Sequence, residues 1–151
     1  MMLRPGVRAL HTLRGEEREQ CVQRLRAALE REAAVLFAYV FGSFTAKGPF
    51  EDIDVAVFID PGQYDQLDPL SAQLALAARL ESAVGLPVEV VFLNDAPLGL
   101  RAAALRGRLL YSRDDKSRTV FLEQTGLARM DLAFLFRESL RDLLPQRPRH
   151  P

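Results

Sequence analysis

Hydrophobic positions change their period several times along this chain, and each change marks an element. Within residues 16–32 they fall at Val22, Leu25 and Leu29 and continue to Ala33, a spacing that predicts an amphipathic helix. Glu16, Glu17 and Glu19 lie in its first turns, where carboxylates suit the helix dipole. Residues 34–41 (AVLFAYVF) are continuously apolar, the pattern of a strand covered on both faces. Residues 53–59 (IDVAVFI) predict a second such strand, ended by the turn Asp60-Pro61-Gly62. A helix is predicted over 66–84, with Leu67, Leu70, Leu74, Ala77, Leu80 and Val84 on one face. Gly85 and Pro87 stop it. Residues 88–93 (VEVVFL) predict a third strand. Asn94 or Asp95 then caps a short helix that has Pro97 in its first turn and reaches about residue 106. Gly107 turns the chain into a short strand at 108–111. From 112 to 144 the period is helical again, with Val120, Leu127, Met130, Phe134 and Leu135 favouring one side. Gly126 is a point of interruption and Pro145 the end.

This order predicts an α/β (α+β) fold: a small mixed sheet of three or four strands packed with helices in two layers, with a long C-terminal helix. One domain is expected over 16–144. Residues 1–15 are expected to be loosely ordered, and the Pro-rich tail 145–151 disordered.

Composition adds little to the fold but excludes some functions. A chain of 151 residues, 48% hydrophobic and 26% charged, fits one globular domain. Lys plus Arg and Asp plus Glu are both 20, so no overall field draws the chain to nucleic acid or an anionic membrane. Cys21 is the single cysteine and lies on the apolar face of its helix, which predicts a core residue and excludes an intramolecular disulfide. No signal peptide is evident, and the apolar run at 33–42 is far too short to span a bilayer. A soluble, cytoplasmic protein is expected.

The chemistry concentrates in VFGSFTAKGPFEDIDVAVFID, residues 40–60. Asp52 and Asp54 stand two apart at the start of a strand, so they project from one face, about 6–7 Å apart along the backbone. Paired carboxylates repel and resist burial. A divalent cation between them removes that cost, and Mg²⁺ takes one or two carboxylates plus substrate phosphates. Gly42 and Ser43 end the preceding strand. Gly42 permits close approach of a ligand. Ser43 offers a hydroxyl and an N–H, and a helical turn at 43–47 would make an anion site. Lys47 could add a point charge. The competing reading by residue type is a surface turn whose aspartates cap the strand end. His11 and His150 sit in the two terminal segments and read as bystanders.

FGSFTAKGPFEDIDVAVF resembles the signature of the polymerase-β-like nucleotidyltransferases: a Gly-Ser, a spacer, and Asp-x-Asp on the next strand. The compact length, with VEVVFLNDAP and GRLLYSRD downstream, is similar to the minimal nucleotidyltransferase (MNT) group. The resemblance covers roughly residues 34–115. It implies a third carboxylate on a neighbouring strand, and Glu89 matches that position; its other reading is a half-exposed edge residue. Asp95 lies beyond the strand and reads as a cap. Two features depart from the group. The third acid is Glu rather than the usual Asp, and the spacer between Ser43 and Asp52, eight residues, is shorter than usual.

The resemblance further implies two Mg²⁺ ions held by Asp52, Asp54 and Glu89, and ATP as nucleotide donor bound through Gly42, Ser43 and Lys47. It implies transfer of AMP to a protein hydroxyl, a tyrosine of a HEPN-domain ribonuclease toxin, with this chain acting as the antitoxin. An alternative is an antitoxin with a degenerate site that neutralises its partner by covering it, which the two departures favour. A further alternative, nucleotide transfer to a small molecule, lacks the extra sequence needed for a substrate pocket. Residues 127–136 are apolar around more of the helix than one core face needs, since Phe134 and Phe136 lie about 200° apart. Either that helix is sandwiched in the fold or part of it meets another chain, a partner or a second copy.

Overall fold

The computed structural model describes residues 9–143, and in the last helix it describes side chains up to residue 130 together with 133 and 137. The expectations for Phe134, Leu135 and Phe136, for residues 1–8, and for the tail with His150 lie outside the described residues.

Helix α1 spans Gly15–Glu30, followed by strand β1, Val35–Phe41, and a one-turn 3-10 helix, Gly42–Thr45. Strand β2 is Ile53–Ile59, followed by the one-turn helix α2, Pro61–Tyr64, and by α3, Pro69–Val84. Strand β3 is Val88–Phe92, α4 is Leu98–Leu105, β4 is Arg108–Ser112 and α5 is Asp115–Leu143. The four strands form one mixed sheet in the order β3-β2-β1-β4. β1 is antiparallel to both β2 and β4, and β2 is parallel to β3.

Helices cover the sheet on both faces, so the domain has three layers rather than the two expected. On one face Cys21, Val22, Leu25 and Leu29 of α1 and Leu76, Leu80 and Val84 of α3 pack on Val40, Ile53, Val55, Val57, Val88 and Val90. On the other, Phe37, Tyr39 and Ala56 meet Ala104 of α4 and Phe121 of α5. Phe37 stacks on Phe58 at 4.9 Å, and Phe121 leans on both rings at 5.5 and 5.6 Å. Alternation along β1 presents Ala38 and Val40 to one layer and Phe37 and Tyr39 to the other, and a register shift between Val35 and Phe37 sets Val35 with the aliphatic side. The unbroken apolar runs of β1 and β2 follow from this double coverage.

Three sequence expectations are corrected. The helix expected over 66–84 starts only at Pro69, whose ring suits the first helical position and holds Asp68 extended before it, while Asp60 caps the separate turn α2 through the N–H groups of Gly62 and Gln63. Its buried stripe runs through Leu76, Leu80 and Val84, while Leu67, Leu70 and Leu74 are exposed at 38%, 65% and 64%. Gln73 takes a place near the sheet because its Oε1 accepts the Phe92 N–H at 2.8 Å, and Glu81 accepts the Val88 N–H at 3.0 Å. These two side chains cover the outer edge of β3, a need that hydropathy does not register. Neither Asn94 nor Asp95 caps α4, which starts after Pro97. The Asn94 amide instead closes on the backbone of Ile59, accepting from its N–H at 3.0 Å and donating to its carbonyl at 2.8 Å. Asp95 faces the Tyr64 hydroxyl and pushes its pKa up.

α5 runs through Gly126 without interruption. Phe121 and Thr125 are buried, whereas Val120, Leu127 and Met130 are exposed at 45%, 62% and 68%. The stripe that touches the domain is narrower than the apolar pattern, and the first half of α5 is therefore not sandwiched. Arg101 ties α4 to the neighbouring elements, donating to the Asn94 carbonyl at 2.8 Å and lying 5.3 Å from the Phe121 ring centroid. No helix among the described residues is long and apolar enough to cross a membrane.

Candidate functional site

The parallel register of β2 and β3 sets Asp54 beside Glu89. Paired residues on adjacent strands point to the same face, here the one facing α4 and α5, opposite the buried Ile53 and Val55. Asp52 precedes the first residue of β2, in the bend that enters the strand. The Ile53 N–H donates to the Pro87 carbonyl at 2.9 Å, which draws the starts of β2 and β3 together. Carboxylate oxygens of Asp52, Asp54 and Glu89 lie within 4.8 Å of one another. Glu89 is exposed, and the two aspartates are partly buried.

This crowding shows in the protonation of Asp54. Its pKa is pushed up to about 7, first by burial and then by the negative charges of Asp52 and Glu89. Oxygens bound at about 2 Å to one hard cation lie roughly 3–4 Å apart. The observed spacing approaches that with small side-chain adjustments, so an oxygen-seeking divalent ion suits the cluster.

Gly42, the first residue after β1, lies against the cluster. In the antiparallel register Phe41 pairs with Asp54, and Gly42 then turns with φ 76°. A Cβ at this position would collide with the Asp54 carboxylate. Only glycine meets both demands, the left-handed backbone and the empty volume. The 3-10 turn that follows leaves its first N–H groups without partners inside the turn, and Ser43 is exposed on it. The Thr45 hydroxyl donates to the Gly42 carbonyl at 2.7 Å and closes the turn. The turn ends at Thr45, with Ala46 already extended. Lys47 therefore sits beyond it, exposed on the following bend, and not within a helical turn as the sequence suggested.

Several residues that the sequence reading passed over complete the surroundings. Phe41, Gly42, Thr45, Ala103, Arg106 and Gly107 line an open pocket of 410 Å³ beside the turn. Gly107 is needed there because a Cβ would strike the Val40 carbonyl as β4 closes on β1. The loop between Ser43 and Asp52 is anchored by Phe44 and Phe50, both buried, in edge-to-face contact at 5.0 Å. His11, read as a bystander, pairs its backbone with Phe50 through bonds of 2.7 and 3.0 Å. The two phenylalanines on either side of Lys47-Gly48-Pro49 were the available signal for this anchoring.

Comparison with known proteins places this geometry. A family model described as polymerase beta, nucleotidyltransferase, matches residues 23–116. No curated protein matches the chain. Among solved structures, the fold is similar to that in the tri-AMPylated Shewanella oneidensis HEPN toxin in complex with MNT antitoxin, at 23% identity over 86% of this chain and 98% of that one, with a TM-score of 0.56. It is also similar to the toxin–antitoxin MntA–HepT, at 22% identity over 87% and 100% of the two chains, with a TM-score of 0.56. A toxin–antitoxin structure with AMP-PNP gives 23% identity over 85% and 98%, with a TM-score of 0.59. At these identities the likeness is one of fold. The family model spans more than half of the length and takes in β1 to β4 with the Gly-Ser turn and all three acids, and the chain belongs to the polymerase beta nucleotidyltransferase family.

Proposed function

We propose that the chain is a protein adenylyltransferase that moves AMP from ATP to a hydroxyl of a HEPN-domain toxin and acts as its antitoxin. The observation that carries this reading is the convergence of Asp52, Asp54 and Glu89 beside the Gly42-Ser43 turn. The similar structures support the partner class, since they include a HEPN toxin in complex with an MNT antitoxin, the toxin tri-AMPylated, and a toxin–antitoxin pair with AMP-PNP.

Asp52, Asp54 and Glu89 would hold Mg²⁺, which supplies charge neutralisation to the triphosphate and a lowered pKa to the acceptor hydroxyl. Ser43 and the N–H groups at the start of its turn would bind the β- and γ-phosphates, with Arg106 lining the adjoining pocket. The acceptor oxygen forms a bond to the α-phosphorus, and the α–β bridging P–O bond breaks in line. Pyrophosphate leaves, and Glu89, the exposed acid of the three, takes the hydroxyl proton. Such a transfer requires positioning and charge and no covalent nucleophile from the protein, so neither Cys21, which is buried, nor the histidines are needed.

The test is incubation with α-labelled ATP, Mg²⁺ and the cognate HEPN protein. Label is expected on a toxin tyrosine and absent with Asp52→Ala. Equal labelling by the variant would remove Asp52 from the site. An unlabelled toxin that is nevertheless neutralised, by Asp54→Ala as by the unaltered chain, would establish neutralisation by binding instead.

A further inference from the structure

The Gly-Ser turn is held from behind by a residue of another element. Arg18, on α1, donates from Nη1 to the carbonyl of Phe44 and from Nη2 to that of Gly48 at 2.5 Å. Its Nε reaches the Leu13 carbonyl at 3.4 Å. The guanidinium also lies over both aromatic anchors of the loop, 5.3 Å from the Phe44 ring centroid and 5.2 Å from that of Phe50. One planar group thus fixes the turn at Phe44, the bend at Gly48, and the two rings beneath them.

This clamp acts on the segment that must meet phosphate. Ser43, Thr45 and Lys47 are exposed on it, and a single turn of 3-10 helix has too few internal bonds to hold itself. We propose that Arg18 is a positioning residue of the nucleotide site, fixing the height of the Gly42–Thr45 turn above the three acids so that Ser43 and the turn N–H groups meet the triphosphate. The role rests on the nucleotidyltransferase reading. A guanidinium is required because its fork reaches two separated carbonyls while its flat face covers the rings; an ammonium reaches one at a time.

Arg18→Gln and Arg18→Lys test this against the unaltered chain. Both keep an aliphatic stem and remove the guanidinium fork. The expected result is a rise of about 10- to 100-fold in KM for Mg·ATP, with kcat changed far less, since a misplaced cradle weakens binding of the donor. Hydrogen exchange without nucleotide is expected to speed up at residues 43–50 while the amides of β1 and β2 are unmoved. The lysine variant should recover part of the loss. An unchanged KM, or a KM moved only together with a general loss of thermal stability and of strand protection, would overturn the role. Failure of the unaltered chain to bind Mg·ATP would instead sink the underlying reading, and Arg18's role with it.

Discussion

Asp54 and Glu89 are register partners across the parallel β2–β3 pair, and Asp54 takes up the space that any side chain at Gly42 would need. The third acid is therefore placed by strand pairing. The longer arm of glutamate brings its carboxylate into the same cluster as the two aspartates. Glu89→Gln keeps the shape and removes proton acceptance. Label transfer to the partner should fall by about 10²- to 10⁴-fold, while the melting curve of the metal-free chain stays the same or improves as repulsion is relieved. A variant that transfers label at the parental rate would exclude Glu89 as a base.

Asp54 makes stability depend on pH. Its pKa is raised from 3.8 to about 7 in the folded chain, so between those values the folded state keeps a proton that the unfolded state has lost. Metal-free stability should decline as pH rises from about 4 to about 7 and level off above, by linkage. Mg²⁺ competes with that proton, so its stabilising effect should grow over the same interval. Melts at stepped pH with and without Mg²⁺ measure both trends. Asp54→Asn should flatten the metal-free curve across this interval.

Gly42→Ala adds a methyl group that meets the Asp54 carboxylate on a backbone with φ 76°. The left-handed conformation alone costs about 1–2 kcal/mol with a Cβ. Urea unfolding should show at least this loss, and Mg²⁺ titration should show weakened binding because Asp54 is displaced. A variant of parental stability and affinity would contradict the packing of the turn on Asp54.

Asn94 closes the far end of β2 by bonding the N–H and the carbonyl of Ile59. Asn94→Ala leaves both backbone groups short of a partner, at a cost of about 1–3 kcal/mol. Nucleotide affinity should hardly change, since Ile59 lies at the opposite end of β2 from Asp54. Urea midpoints and Mg·ATP titration on the same sample separate the two effects.

Leu127 and Met130 are exposed on α5, while Phe121 is buried against Phe37 and Phe58. Leu127→Ser and Met130→Ser should each leave chemical stability within about 0.5 kcal/mol, as surface changes do. Phe121→Ala should cost about 3–5 kcal/mol. Large losses at Leu127 or Met130 would place that side of α5 inside the domain.

Local signals carried much of this protein. The apolar runs before Phe41 and after Asp52, the breaker pairs at Pro61-Gly62 and Gly85 with Pro87, and the amphipathic period of α1 appear in the structure close to where they stand in the sequence. Those features follow from backbone sterics and from the period of side-chain burial, which neighbouring residues set among themselves. Gly42-Ser43 followed by Asp52 and Asp54 is equally local, because a turn and the strand after it lie within one short stretch.

What the sequence could not fix was which surfaces meet. Hydropathy put Leu70 and Leu74 in the core of α3, but the stripe facing the sheet is decided by the β3 edge that Gln73 and Glu81 must cover. It gave Asn94 to α4, but an amide finds its strongest partner in an unpaired backbone elsewhere, here Ile59. Arg18, Phe44 and Phe50 meet only after α1 packs beside the loop, and Glu89 reaches Asp54 only once two strands choose a register. The chain thus dictated its elements and the residues able to do the chemistry. Their juxtaposition came from long-range packing and hydrogen-bond satisfaction, which depend on partners distant in sequence and leave no periodic trace in it.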